Sequence, residues 1–134
     1  MTQIQTVAVT GATGFVGRHV VAALLKAGYR VRALVRDRSK ATEVLPADRR
    51  VALVEGDVLD RKSPDELVRG AQACIHLIGI IREGSRQTFQ GMHVEATRAM
   101  LAACQSADPA LRRFVHMSAL GVRPDGPAEY QRTK

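Results

Sequence analysis

The feature that most constrains the fold of this chain is a glycine-rich turn near its amino terminus. Residues 10–17 read TGATGFVG and directly follow the apolar run VAV at residues 7–9. In a strand–turn–helix arrangement of this kind, Gly11 allows the sharp turn, Gly14 lets the backbone approach phosphates, and Gly17 lets the helix pack close to the strand. The helix N-terminus adds free N–H groups and a dipole that favours an anion. The turn therefore predicts a site for the pyrophosphate of a dinucleotide, whereas the alternative is an ordinary turn that uses glycine only for its geometry.

The residues after this turn complete a strand–helix–strand unit. The apolar side chains that recur there at helical spacing are Val16, Val20, Ala23, Leu24 and Ala27. Gly28 stands where the C-terminal cap of the helix belongs, and residues 31–35 read VRALV, as a second strand would. The unit takes about the 30 residues that a βαβ unit needs, which favours the dinucleotide interpretation.

Strands and helices alternate along the rest of the chain. Strand patterns occur at residues 6–10, 30–36, 51–55, 73–78 and 113–118. Helical patterns occur at residues 14–27, 39–45, 63–70 and 86–106. The third helical segment opens with the capping box SPDE at residues 63–66, which has proline at the first helical position. The fourth carries an apolar stripe of Phe89, Met92, Ala96, Met100 and Cys104.

This alternation predicts an α/β fold with a doubly wound parallel sheet of the Rossmann type. Right-handed crossovers give the strand order 3-2-1-4-5, with helices on both faces. No repeat, low-complexity segment or linker divides the chain, so residues 1–134 are expected to form a single domain.

Composition narrows the classes of function. No apolar run approaches the ~18 residues of a membrane span, and no signal peptide is recognisable, so we expect a cytoplasmic protein. Cys74 and Cys104 lie in apolar segments and are expected to be buried, reduced thiols. The net charge of +7 comes from scattered basic residues with few aromatic ones, which predicts a basic rim around an anionic cofactor rather than nucleic-acid binding.

The histidines are not predicted to bind a metal. His19, His76 and His116 lie far apart without metal-ligand spacing. His19 is expected on the first helix near the glycine turn, whereas His76 and His116 are interpreted as strand residues that bond locally.

Further motifs indicate a family. They read GDV at residues 56–58, HLIG at 76–79, HMSALG at 116–121 and YQRTK at 130–134. Together with the glycine turn they cover nearly the whole chain, which resembles the short-chain dehydrogenase/reductase superfamily in its extended or atypical, NAD-dependent epimerase/dehydratase branch. Within that branch, residues 89–117 look most similar to bacterial relatives of the NADPH-binding accessory subunit of respiratory complex I.

The end of the second strand favours NADP over NAD. In the extended enzymes that the chain resembles, the acid that binds the ribose 2′-hydroxyl corresponds to Val35, which offers no acceptor. Arg36 follows, and a guanidinium can bind a 2′-phosphate with paired hydrogen bonds. Relatives with this pattern are usually NADP binders. Two alternatives stay open: Arg36, Arg38 and Lys40 could form a solvated basic loop, and Asp37 could turn to the ribose of NAD.

The resemblance places other residues around the cofactor. It puts the Asp57 side chain or the Val58 backbone against the adenine ring, although Asp57 can instead bond the local backbone of a turn. It also puts the end of the fourth strand beside the crevice in which such sheets bind ligands. The predicted cofactor-binding residues are Gly11, Thr13, Gly14, Phe15, Val16, Gly17, Arg36, Lys40, Asp57, Val58, Leu77, Ile78 and Gly79.

The resemblance also implies a catalytic set of Ser118, Tyr130 and Lys134. Tyr130 and Lys134 are four residues apart and share one face of a helix. In the superfamily the lysine lowers the pKa of the tyrosine and holds the cofactor ribose, the tyrosine exchanges a proton with the substrate, and the serine orients the substrate carbonyl. Alternatively, Tyr130 is half-buried and Lys134 solvated. His93 stands where many relatives have Asn, and a hydrogen-bonded core histidine is favoured there over a relay.

Two functions follow from this resemblance. The first is an oxidoreductase or sugar-nucleotide-type epimerase, and the second is a non-catalytic NADPH-binding accessory or assembly subunit of a respiratory complex. A redox-sensing regulator that binds NADP and a protein partner is a third class, but such regulators usually lack the tyrosine–lysine pair, which counts against it. In the family, a sixth strand and a smaller substrate domain follow the tyrosine helix. We therefore expect the 134 residues to be an incomplete Rossmann domain, the amino-terminal piece of a longer protein, which binds cofactor weakly and turns over nothing alone. The sequence names no substrate, and a homodimer or respiratory-complex association stays open.

Overall fold

The computed structural model describes residues 3–134 and contains one sheet of five parallel strands. The strands are β1 (Thr6–Thr10), β2 (Arg30–Val35), β3 (Val51–Glu55), β4 (Ala73–His76) and β5 (Arg113–His116). Their order is β3-β2-β1-β4-β5, so the chain moves outward from β1 to β3 and then returns to the other side of β1. The predicted fold class and strand order are confirmed, although β2, β4 and β5 end one or two residues earlier than the patterns suggest.

Helices cover both faces of this sheet. They are α1 (Phe15–Lys26), α2 (Arg38–Val44), α3 (Lys62–Val68), α4 (Ala96–Ser106) and α5 (Glu129–Thr133), with a π-helical segment (Gln90–Glu95) leading into α4. Alternate strand residues belong to separate cores, as the pleat requires. Val7 packs in the same core as Val21 of α1, whereas Ala8 packs in the core of Met100 of α4. The sheet is therefore buried on both sides at its centre.

The buried face of α1 differs from the predicted one by one helical position. Its buried residues are Gly17, Val21 and Leu25. Of the predicted stripe, the residues exposed to solvent are Val16, Ala23 and Ala27. The physical reason is that Gly17 must lie against the preceding turn, and this contact fixes the rotation of the helix.

The C-terminus of α1 is capped by Gly28, as predicted. Gly28 has a φ of +92°, the left-handed conformation that glycine adopts readily. Its N–H donates to Leu25 O and the N–H of Tyr29 donates to Leu24 O, both at 3.0 Å. These two bonds form a Schellman motif, which satisfies carbonyls at the helix end and directs the chain into β2.

The predicted capping box of α3 is wrong. The helix begins at Lys62, so Ser63 lies inside its first turn and is buried. The Ser63 hydroxyl instead accepts a hydrogen bond of 3.2 Å from the N–H of Asp57. A Cβ at Gly56 would collide with this hydroxyl. Ser63 therefore packs against the turn that follows β3 rather than capping the helix.

The last long helical region begins later than predicted, with a π-helical segment from Gln90. Its predicted stripe is confirmed by the buried residues Met92, Ala96, Met100 and Cys104, while Phe89 is half-buried. Cys74 and Cys104 are both buried and unpaired, as expected.

Strand β5 lies at the edge of the sheet. Within residues 3–134 it pairs only with β4. Its outward side chains are partly open to solvent, as Val115 shows with 46% of its surface exposed. None of the helices in this described part of the chain has the length and apolar character that a membrane crossing requires.

Candidate functional site

A groove of about 600 Å³ lies at the carboxyl ends of β1, β2 and β4. This is the point where the strand order reverses, and open α/β sheets bind ligands at such points. The predicted cofactor-binding residues that line the groove are Gly11, Thr13, Gly14, Arg36, Lys40, Val58, Leu77, Ile78 and Gly79. The structure thus gathers most of the predicted set, from four separate segments of the sequence, around one cavity.

The glycine turn has the geometry that a close-approaching anion requires. Gly11 has a φ of +70°, and the N–H of Gly14 donates to its carbonyl at 3.2 Å. A Cβ at Gly17 would collide with the same carbonyl, so only glycine lets α1 begin this close to the turn. Gly14 is the N-cap of α1, and the first helical turn contains no acidic side chain. The unpaired N–H groups of a helix start at the groove therefore fit the charge and size of a pyrophosphate.

Three predicted residues beside the turn lie outside the groove lining. Phe15 is 73% exposed, and its ring meets the ring of His19 edge-on at 5.2 Å. Val16 is 40% exposed. Gly17 is buried, and its place against Gly11 supports the turn rather than lining the cavity. Cofactor contacts by these residues stay predictions.

Asp57 also lies outside the lining. Its carboxylate accepts a hydrogen bond of 2.9 Å from the N–H of Leu59, which is the local turn bond that its alternative role requires. Val58, the next residue, is buried and lines the groove. The contact of Asp57 with adenine stays a prediction.

Basic side chains border the groove at the end of β2. Val35 is buried and offers no acceptor. Asp37 is the N-cap of α2, and its carboxylate accepts a hydrogen bond of 3.2 Å from the N–H of Lys40. Arg38 turns to the neighbouring strand, where it donates to Leu53 O at 3.1 Å. Arg36 and Lys40 are thus the cations of this segment that line the groove.

On the side of the groove opposite Arg36, Lys134 connects two segments of the chain. Its ammonium donates to Met117 O and to Ile78 O, the second at 3.5 Å, and so joins the segments that follow β4 and β5. A Cβ at Gly79 would lie 3.0 Å from Lys134 Cε, so the missing side chain makes room for the lysine. Burial lowers the pKa of Lys134 below its ordinary value. The alternative of a fully solvated lysine is therefore not what the structure contains.

Tyr130 and Ser118 lie at the same end of the sheet. Tyr130 is half-buried on α5, and its ring meets that of His93 edge-on at 5.2 Å. Ser118 is exposed two residues beyond β5, next to the Met117 carbonyl that Lys134 binds. Within residues 3–134 neither hydroxyl has a hydrogen-bond partner, so both are available to a ligand. Their catalytic roles stay predictions.

His93 connects the groove to the helix that carries Tyr130. Its Nε2 accepts a hydrogen bond of 3.0 Å from the N–H of Ile80. Thr133 Oγ1 lies 2.9 Å from Nδ1 and uses its own hydrogen on Glu129 O, so Nδ1 must carry a proton and donate. Burial and the charge of Lys134 lower the pKa of His93. The expectation of a hydrogen-bonded core histidine is confirmed, and His93 is held neutral.

His76 forms a second buried network that sequence reasoning missed. Thr97 Oγ1 donates to the His93 carbonyl, so it accepts from His76 Nε2 at 3.0 Å. His76 Nδ1 then accepts from Thr10 Oγ1, which itself accepts from the N–H of Leu77. The expectation that His76 bonds locally is wrong, because its partners lie in β1 and α4. Two strands that both end in a polar residue, Thr10 and His76, are the sequence signal that could have indicated this contact.

The fold and groove together define a dinucleotide-binding type of α/β domain, with its cavity where the strand order reverses. Residues 3–126 match the NmrA-like family, to which the chain belongs. The predicted relationship to extended short-chain dehydrogenases/reductases is confirmed. The finer likeness to complex I accessory subunits stays a prediction.

Individual relatives are reductases. Ceramide reductase from Caulobacter vibrioides is 36% identical over 128 residues, which cover 96% of this chain and 39% of that protein. Dihydroflavonol 4-reductase from Zea mays is 32% identical over 126 residues, covering 87% of this chain and 35% of that protein. A crystal structure of a short-chain dehydrogenase/reductase superfamily protein from Agrobacterium tumefaciens with bound NAD is 28% identical, with a TM-score of 0.71, and the match covers 97% of this chain and 42% of that one. The chain thus spans less than half the length of these relatives.

Proposed function

We propose that this chain is the cofactor-binding part of an NADP-dependent oxidoreductase that interconverts a carbonyl and a hydroxyl group. The observation that carries the proposal is the groove itself. It has a glycine turn and helix N-terminus, Arg36 and Lys40 at one end, and Gly79 at the other, where the Lys134 side chain packs against Gly79 without lining the groove. The reductase relatives favour carbonyl reduction over epimerisation as the reaction of the whole protein.

Different residues of the groove would bind different parts of the cofactor. Gly11, Gly14 and the N-terminus of α1 would bind the pyrophosphate through backbone N–H groups. Arg36 would bind the ribose 2′-phosphate as a planar cation, with Lys40 as a second charge. Asp37 is engaged as a helix cap and Val35 offers no acceptor, and both features favour a phosphate over a free 2′-hydroxyl at this end.

Tyr130 would carry the proton in the reaction. When bound, the nicotinamide supplies the hydride in the direction of carbonyl reduction. Tyr130 would donate its phenolic proton to the substrate oxygen, and the positive charge of Lys134 on the same helix face would favour the resulting phenolate. Ser118 would donate a hydrogen bond to the same substrate oxygen. The fixed neutral His93 would keep the helix of Tyr130 in place beside the groove.

The domain organisation belongs to the same proposal. We propose that residues 1–134 form an incomplete Rossmann domain and that a carboxyl-terminal substrate domain completes the whole protein. The limited coverage of the reductase relatives supports this view. The substrate contacts would then come mainly from that second domain.

Two measurements test the function. Isothermal titration of the purified protein with NADPH and NADH should give tighter binding of NADPH, and Arg36→Ala should remove this preference. In the whole protein, Tyr130→Phe should abolish carbonyl reduction while leaving NADPH affinity nearly unchanged. No binding of either nucleotide would contradict the proposal. NADPH binding without any turnover, together with co-purification of a respiratory complex, would instead support the accessory-subunit function.

A further inference from the structure

Arg36 does not stand free at the edge of the groove. With its side-chain amide turned oxygen-first, Gln87 accepts hydrogen bonds from both terminal nitrogens of the guanidinium, at 2.6 Å from Nη2 and 3.0 Å from Nη1. Arg36 directly follows β2, whereas Gln87 belongs to the segment between β4 and the π-helical segment. Both side chains line the same cavity, so the contact joins its two sides.

The chemistry of this contact distinguishes it from an ion pair. An amide oxygen accepts hydrogen bonds without carrying a charge, so it fixes the guanidinium and leaves the positive charge uncancelled. Both bonds use the terminal nitrogens, which leaves the edge formed by Nε and Nη2 for a paired contact with phosphate oxygens. Within residues 3–134 Arg36 forms no salt bridge, unlike Arg38, whose Nε lies 3.7 Å from a carboxylate oxygen of Glu55.

From this geometry we propose that Gln87 is a positioning residue for Arg36 and thereby sets the preference for NADP over NAD. The inference rests on the proposed function and deepens it. A flexible arginine loses rotamer entropy when it binds a phosphate, and a guanidinium already held in place loses less. This gain in affinity applies only to a ligand with a 2′-phosphate, because NAD places no anion beside Arg36.

The test compares the affinities of NADPH and NADH by isothermal titration at fixed salt. Gln87→Ala should weaken NADPH binding about fivefold and leave NADH binding unchanged. Gln87→Glu should weaken NADPH binding further, because a carboxylate at this position would neutralise the guanidinium and repel the phosphate. Arg38→Ala is the matched control, since Arg38 follows the same strand but binds Leu53 and Glu55, and it should leave the ratio of the two affinities unchanged.

A double-mutant cycle separates positioning from a general structural effect. In the Arg36→Ala background, Gln87→Ala should have no further effect on NADPH affinity, because the residue it positions is absent. An equal loss for both nucleotides, or an unchanged ratio in Gln87→Ala, would overturn the role of Gln87. If the wild-type protein prefers NADPH through Arg36 but Gln87→Ala leaves both affinities unchanged, only this inference fails. If the wild-type protein binds neither nucleotide, the proposed function fails with it.

Discussion

Thr10 and His76 are joined by a hydrogen bond of 2.7 Å between Oγ1 and Nδ1, although 66 residues separate them in the sequence. They are register partners at the ends of β1 and β4, and both side chains are fully buried. His76 Nε2 donates to Thr97, so in the neutral ring Nδ1 accepts from the Thr10 hydroxyl. Burial, with smaller contributions from the charges of His116 and Lys134, lowers the pKa of His76 from 6.5 to about 4.

This lowered pKa predicts that the protein loses stability in mild acid. Between about pH 6.5 and pH 4 the unfolded chain binds a proton at His76 that the folded chain does not, so the free energy of unfolding falls as the pH falls. The full loss from this residue amounts to roughly 3 kcal/mol, and the lowered pKa of His93 acts in the same direction. Urea unfolding at several pH values measures the slope of the free energy of unfolding against pH.

An NMR titration checks the assignment of that slope to His76. The ring resonance of His76 should change near pH 4 if the protein is still folded there. A His76 that titrates at or above pH 6.5 in the folded protein would contradict both the neutral ring and the predicted acid sensitivity.

Removing the Thr10 hydroxyl should destabilise the core. Thr10→Val keeps the shape of the side chain but leaves His76 Nδ1 without its partner. The N–H of Leu77 loses the Thr10 hydroxyl and keeps its bond of 3.3 Å to the Thr10 carbonyl. A buried group that loses its hydrogen bond costs about 1–3 kcal/mol, so we expect the free energy of unfolding to fall by roughly 2 kcal/mol in urea unfolding. Thr42→Val is the control, because Thr42 is exposed on α2 and its hydroxyl donates to the nearby Ser39 carbonyl. Equal effects of both changes would argue against the network.

Glycine substitutions should separate the two roles of the β1–α1 turn. Gly17→Ala drives a Cβ into the carbonyl of Gly11, so we expect a loss of about 2 kcal/mol or more, although Ala normally favours a helix. A Cβ at Gly14 would lie 3.4 Å from the same carbonyl, an ordinary contact. Gly14→Ala should therefore keep its thermal stability and lose nucleotide affinity, if phosphate approaches there. Stability loss of equal size in both variants would contradict this division.

The sequence predicted the topology well because the evidence for it is repeated along the chain. Each central strand is an apolar run that can be buried on both faces, and the right-handed crossover rule leaves few possible orders. The glycine turn was equally predictable, since Gly11 and Gly17 are required by backbone contacts that no other residue allows. The buried face of α1 was not predictable, because its many small apolar residues fit several rotations of the helix about its axis.

Contacts between distant residues account for the remaining differences. Ser63 has the sequence context of a helix cap, but its burial against Gly56 depends on where β3 ends. The network of His76 depends on the strand register, and the contact of Arg36 with Gln87 depends on the path of a loop. Local patterns contain none of this information, which explains why the members of the site were predicted better than their partners.

The hydrogen bond between the Ile80 N–H and His93 Nε2 anchors the segment after β4. His93→Ala removes the acceptor of the Ile80 N–H and the donor to Thr133, so the free energy of unfolding should fall by about 2–3 kcal/mol. Hydrogen exchange of the Ile80 amide and of the α5 amides should also become faster, because both segments lose the same anchor. His116→Ala is the control, since that exposed ring makes a long bond of 3.4 Å to the Lys134 carbonyl and stacks on the His76 ring at 5.8 Å, and its removal should cost less than about 1 kcal/mol. Unchanged exchange at Ile80 in His93→Ala would show that this histidine does not join the groove to the Tyr130 helix.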